Sequence, residues 1–280
     1  MNDLQRRKSR LFKIQLIANP GDRAILGLLA VALSVALIRW PVMGHELTGI
    51  VAAQAALLAG FWGISSVLSR RETSTWAPYV RASASIAVVM TLYSTLGALG
   101  LIAIPYRADA MLAQADQAIL GFAPSHALQP YQTSVAVEFF SFVYAAFIPY
   151  IYLSLFLGCV GRPPVERERF LIGWIYTYSI SYIGYLFVPA VGPVIFQANE
   201  FDMALRAGFF HDLVVAGIEA GGGPHGAFPS LHVGASLYLC LFDWHVNRLR
   251  ALTYLPIVVL IFGATIFLRY HYVVDIMAGA

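Results

Sequence analysis

Again and again along this chain, apolar residues run uninterrupted for the thickness of a bilayer. The runs fall near residues 24–43, 48–68, 83–104, 134–160, 170–189, 230–244 and 251–269. A membrane-spanning helix needs roughly 20 mostly apolar residues, and the sixth run is the shortest. An eighth begins near His271 and stops at Ala280. So short a piece cannot cross as a helix, so the last span is expected to be cut short, with the natural chain continuing. Of the 280 residues 59% are hydrophobic and only 12% charged, whereas a soluble domain carries about twice that charge. The expected fold is all-α: a polytopic transmembrane helical bundle of about seven spans plus the start of one more, with the lipid bilayer as solvent.

Orientation follows from the basic residues, because cytoplasmic loops carry an excess of Lys and Arg. Arg6, Arg7, Lys8, Arg10, Lys13 and Arg23 precede the first run. Arg70, Arg71 and Arg81, then Arg162, Arg167 and Arg169, then Arg248 and Arg250 fall in every second connection. These are 14 of the 18 Lys and Arg, leaving Arg39, Arg107, Arg206 and Arg269 for the other side. Residues 1–23 are thus expected as a basic cytoplasmic arm and 24–280 as a single transmembrane domain. The long connections near 105–133 and 190–229 then face the outer, periplasmic or lumenal, side. They are apolar enough (Met111, Leu112, Ile119, Leu120; Phe209, Phe210, Leu213, Val214, Val215) to form interfacial helices. A net charge of +3, spread over short loops, gives no nucleic-acid surface. Cys159 and Cys240 lie in apolar runs and read as small hydrophobes rather than a disulfide.

Two stretches carry chemistry, and this topology puts both on the outer face. In Gly226-Ala227-Phe228-Pro229-Ser230-Leu231-His232-Val233 the long outer connection enters the sixth run. Pro229 and Ser230 suit a helix start, with Ser230 able to cap. The free N–H groups and dipole of such a start favour an anion, and His232 sits in the first turn beside it. Glycines 221–223 and Gly226 let the backbone approach a ligand closely. The second stretch is Arg269-Tyr270-His271-Tyr272-Val273-Val274-Asp275. His271 and Asp275 are four apart and share one face of a returning helix. There the carboxylate can accept an imidazole N–H, fixing its tautomer and sharpening the other nitrogen as a nucleophile. A lone interfacial His is more often structural than catalytic, Arg269 and Tyr270 also suit interface anchors, and a metal needs more ligands than this pair. It is the conjunction of two His, one Asp, one Arg and a capped helix start that points to catalysis.

Phe-Pro-Ser-Leu-His resembles the Pro-Ser-x-His signature of the type 2 phosphatidic acid phosphatase superfamily, and His271-x-x-x-Asp275 resembles its closing motif. FPSLHVG and LRYHYVVD, with the segment Asp109…Asp116-Gln117…Leu120-Gly121…Pro124, look most like the inositol phosphorylceramide synthase-like branch. The resemblance covers roughly residues 105–280. The superfamily's first motif is basic, but Val188-Pro-Ala-Val-Gly192-Pro193-Val194 stands in its place, without a cation. Thr265 occupies the usual Arg position of the last motif, and Arg269, expected on the same helical face, is read as its replacement.

The resemblance implies a lipid phosphotransferase working through a phosphohistidine. In it His271 is the nucleophile, Asp275 stabilises its imidazolium, and His232 is the acid and base. Ser230, Leu231, Arg269, Gly226 and Gly192 bind substrate. No metal or cofactor is implied; the partners are a phospholipid donor and a polyol such as inositol, or water. With water the enzyme is a lipid phosphate phosphatase; an inactive relative and a non-enzymatic anionic-lipid transporter are the other readings. CDP-alcohol phosphotransferases use a motif that starts Asp-Gly, a dipeptide missing from this sequence. Transporters place polar residues at mid-membrane, whereas these cluster at an interface.

Overall fold

The computed structural model of the chain describes residues 19–71 and 74–280. Most of the basic arm, including Arg6, Arg7, Lys8, Arg10 and Lys13, lies outside the described residues. Every regular element among the described residues is helical, and the chain is an all-α membrane helical bundle.

Asn19 starts α1 (Pro20–Met43) by accepting the amide hydrogens of Gly21 and Asp22, while Pro20 fills a position that needs no N–H. The 3-10 turn Gly44–Leu47 leads into α2 (Thr48–Ser69), which packs back on α1. Then follow α3 (Ala77–Ala103), α4 (Asp109–Leu120), α5 (Ser134–Ala145), α6 (Phe147–Cys159) and α7 (Pro164–Phe187). The chain ends with α8 (Phe209–Ala220), α9 (Leu231–Val246), α10 (Arg248–Phe267) and α11 (Val273–Gly279). Stretches long and apolar enough to cross a membrane are Pro20–Ser69 (the α1–α2 pair), Ala77–Ala103, Ser134–Cys159, Pro164–Phe187 and Arg248–Phe267. With 16 residues α9 is shorter, about 24 Å long at 1.5 Å per residue.

Two details depart from the sequence reading. The run 134–160 is two helices that meet at Ala146, because Pro149 has no N–H for the carbonyl of Ala145. Arg81, Arg167 and Arg169, expected in loops, lie inside α3 and α7. Pro78 and Pro164 preorganise those helix starts, so helix begins before the apolar run does. Where helices were expected in the two long connections, each does hold one of 12 residues, α4 or α8.

At the centre stands α7, packed against α1, α3, α6 and α9. Its Trp174 and Tyr182 are fully buried, and the Tyr182 hydroxyl donates to the carbonyl of Val89 on α3 at 2.8 Å. Outward, the bundle shows large apolar side chains such as Ile38, Val135 and Ile180, a surface that only lipid solvates well. At one end Asp243 binds Arg162 at 3.1 Å and Arg250 at 2.5 Å, tying α9, α10 and the α6–α7 turn together. At the other end α3, α7 and α10 finish and α5, α9 and α11 begin. Both sequence motifs meet there.

Candidate active site

The turn after α10 presents His271. The carbonyl of Thr265 accepts the amide hydrogens of both Tyr270 (3.0 Å) and His271 (3.1 Å), closing the end of the helix. To make this turn Arg269 takes φ 63°, a left-handed conformation uncommon outside glycine. His271 therefore precedes α11 instead of lying on it. The expected shared helical face of His271 and Asp275 is not what joins them. Asp275 occupies the third position of α11 and reaches back, accepting the Tyr272 amide at 2.8 Å and lying 3.3 Å from His271 Nδ1. Such a backward reach is the habit of an acidic third residue in a helix.

His271 Nδ1 is also 2.8 Å from the carbonyl oxygen of Ala227. Both neighbours of Nδ1 only accept, so Nδ1 carries the hydrogen and Nε2 keeps its lone pair. His271 is 4% exposed and Asp275 fully buried, with Asp275 Oδ1 unpartnered among the described residues. The His232 ring lies 5.7 Å from the His271 ring, centroid to centroid, at 68°. Tyr144 and Phe147 hold His232 in place, each with its ring 4.4 Å away.

Ser230 precedes α9, but its hydroxyl makes no capping bond. Instead its amide donates to the carbonyl of Asp275 at 2.9 Å, linking the two motifs through the backbone. Ser230 Oγ is fully buried and unpartnered among the described residues. Buried hydroxyls normally find a partner, and this one makes no bond among the described residues. Leu231 opens α9 with its amide beside the Tyr185 hydroxyl. Gly226, at φ 70°, lets the backbone pass against Tyr185; an added Cβ would sit 2.7 Å from that ring.

Two carboxylates that the sequence motifs did not single out as functional brace the site. Asp109 on α4 accepts the amides of Val191 (3.1 Å) and Gly192 (2.9 Å) and the Tyr272 hydroxyl (3.2 Å). Burial holds its carboxyl pKa above the usual carboxylate value, and those bonds offset only part of the rise. Asp116, two turns along the same face of α4, accepts the amides of Val273 (2.8 Å) and Val274 (2.9 Å), capping α11 from outside. The segment that lacks the expected cation is therefore a strut. Gly192, at φ 81°, abuts the carbonyl of Tyr270, and Val194 donates to the carbonyl of Arg269 at 2.7 Å. The signal for both carboxylates was present as the Asp109…Asp116 spacing, but nothing in it names their amide partners.

Arg269 does not lie on the face of Thr265, since α10 ends two residues earlier. Its guanidinium donates through Nε to Gln132 Oε1 (3.1 Å), through a second nitrogen to the same oxygen, and to the carbonyl of Met203 (3.0 Å). It also stacks 3.8 Å from the centre of the Phe201 ring. Burial lowers its pKa and Asp202 raises it. Two of its five N–H groups make no bond among the described residues. Within those residues no cluster of three His, Cys, Asp or Glu side chains converges as a metal site would.

A family model described as the PAP2 superfamily matches residues 110–280, more than half of the chain and both motifs. A PA-phosphatase related-family protein of Dictyostelium discoideum is 33% identical over 123 residues. That match covers 41% of this chain and 22% of the relative's length. No solved structure matches the chain.

Proposed function

Because this chain belongs to the PAP2 superfamily, we propose that it moves a phosphoryl group on a membrane lipid through a phosphohistidine formed on His271. One observation supports this most: Nδ1 of His271 is held by two acceptors while Nε2 makes no bond among the described residues, and the His232 ring lies 5.7 Å from the imidazole. Nε2 attacks the lipid phosphorus, forming an N–P bond as the P–O bond to the leaving group breaks. His232 gives its proton to the departing oxygen, and Asp275 steadies the positive charge on His271. In the second half His232 takes a proton from the incoming hydroxyl, whose oxygen displaces His271 from phosphorus. The Ser230 hydroxyl, the first amides of α9 and the remaining N–H groups of Arg269 receive the phosphoryl oxygens. Fixed donors aimed at developing charge carry most of the barrier reduction in such transfers.

Water and a polyol attack the same intermediate, so hydrolysis and transfer share one mechanism. We favour the polyol, as in the inositol phosphorylceramide synthase-like branch, because the FPSLHVG and LRYHYVVD forms resemble it. We place the site on the non-cytoplasmic face from the distribution of basic residues. The test is a quench experiment with phosphorus-labelled phospholipid. Acid-labile label should be recovered on the peptide containing His271, and lipid mass spectrometry should show the polyol product when polyol is supplied. Turnover without label on His271 would overturn the mechanism; phosphate alone as product would assign water as the acceptor.

A further inference from the structure

The opposite end of the bundle holds a second polar cavity, which the reaction above does not use. It is about 370 Å³ in volume and lies among the starts of α1, α3 and α7 and the end of α2. Pockets for small ligands run from about 300 to 1,000 Å³. Arg167 borders it near the start of α7, whereas Tyr185, near the other end of that 24-residue helix, lies against Gly226 of the candidate active site. The two sites are thus about 27 Å apart by helix rise.

Its wall holds two unmet demands. Asp22 is 1% exposed, and its Oδ2 takes both the Ser65 hydroxyl and Arg81. Its Oδ1 is buried and has no partner among the described residues. Arg167, 7% exposed, stacks 4.6 Å over Tyr79 and pairs with no carboxylate among the described residues. Glu168 in the same wall is engaged by Asn19 at 3.0 Å. A buried acceptor lacking a donor and a buried cation lacking an anion are each costly. Asp22, Arg81, Arg167 and Glu168 together carry no net charge, so a ligand meeting both demands is itself zwitterionic.

We propose that this cavity binds a phosphoethanolamine group, its phosphate against Arg167 and its primary ammonium donating to Asp22 Oδ1. A quaternary ammonium has no N–H to give, and a phosphoglycerol head supplies no positive charge. The apolar flank of Leu171, Ile172 and Ile175 suits the glycerol backbone and chains of an aminophospholipid, in the leaflet facing the basic loops.

The test uses the full chain in mild detergent, equilibrated with equimolar phosphatidylethanolamine, phosphatidylcholine and phosphatidylglycerol and read by native mass spectrometry. Wild type should retain phosphatidylethanolamine about tenfold over the other two, the worth of one charge-assisted bond. Asp22→Asn, which removes the charge opposite the ammonium, should bring retention down to the level of phosphatidylcholine, whereas Arg167→Gln should lower retention of all three lipids. Should Asp22→Asn fail to fold, Arg167→Lys keeps the charge and stem and is expected to lower retention of all three lipids only in part, with the preference kept. Displacement by soluble phosphoethanolamine would show that the head group suffices; persistence of the lipid against it would assign the intact lipid. Equal retention of the three lipids by wild type overturns the proposal, as does an undiminished preference in Asp22→Asn or undiminished retention in Arg167→Gln.

Discussion

Asp275→Asn is expected to slow turnover by about a hundredfold and no more, while leaving the fold intact. The reasoning starts at His271 Nδ1, which has two acceptors: the Ala227 carbonyl at 2.8 Å and Asp275 Oδ2 at 3.3 Å. The closer one is backbone and survives any substitution at 275. It keeps the hydrogen on Nδ1, so Nε2 remains the nucleophile. Where a carboxylate alone fixes the tautomer, replacing it by the amide costs about 10⁴ in rate. Here only the charge stabilisation of the imidazolium is lost, worth about 2–3 kcal/mol for a charge-assisted bond, or roughly thirty- to 150-fold. The amide oxygen of Asn can still accept the Tyr272 amide, which Asp275 holds at 2.8 Å, so stability should change little. Asp275→Ala removes that cap as well and should cost a further ~1 kcal/mol of stability. The assay is release of labelled head group from phospholipid in detergent micelles, at matched folded protein, beside His271→Ala, which should be inactive. Wild-type activity in Asp275→Asn would refute the charge argument. A loss as complete as that of His271→Ala would refute the tautomer argument, because the Ala227 carbonyl would then not suffice.

Ser230→Ala should leave thermal stability unchanged or slightly raised, since the buried hydroxyl has no partner, yet lower turnover about tenfold or more; unaltered turnover would remove Ser230 from the phosphoryl contacts. Arg269→Lys loses the fork on Gln132 and the stacking on Phe201 and should destabilise by about 2–3 kcal/mol in a thermal scan. Its turnover per folded molecule should also fall about tenfold or more; full turnover once folded would leave Arg269 a brace for the turn and not a phosphate ligand. Asp116→Ala strips the acceptor from the amides of Val273 and Val274; hydrogen exchange at the start of α11 should quicken and turnover should drop, whereas unchanged exchange there would mean that α11 holds itself.

The sequence by itself determined the solvent and the element type. Runs such as Ala251–Leu268 can satisfy their backbone in lipid only as helices, and they are helices. It also determined which side chains are chemically capable, because Ser230, His232, His271 and Asp275 stand beside turn residues and at spacings that few structural roles demand. The way those side chains are brought together was not legible. Helical periodicity put His271 and Asp275 on one face of a helix, and Thr265 and Arg269 on another, but the chain leaves helix at Leu268 and turns left-handed at Arg269. Where a helix stops depends on which carbonyls find donors, and here the Thr265 carbonyl is taken by two amides beyond the turn. Tertiary structure alone decided that Asp109 and Asp116 clamp the strut and α11, that Ala227 holds His271, and that Arg269 is committed to Gln132 and Met203. All of these are bonds to main-chain atoms, or to residues more than forty positions away. Every residue carries the same amide and carbonyl, so the side-chain pattern holds no record of which of them a distant carboxylate or imidazole will meet.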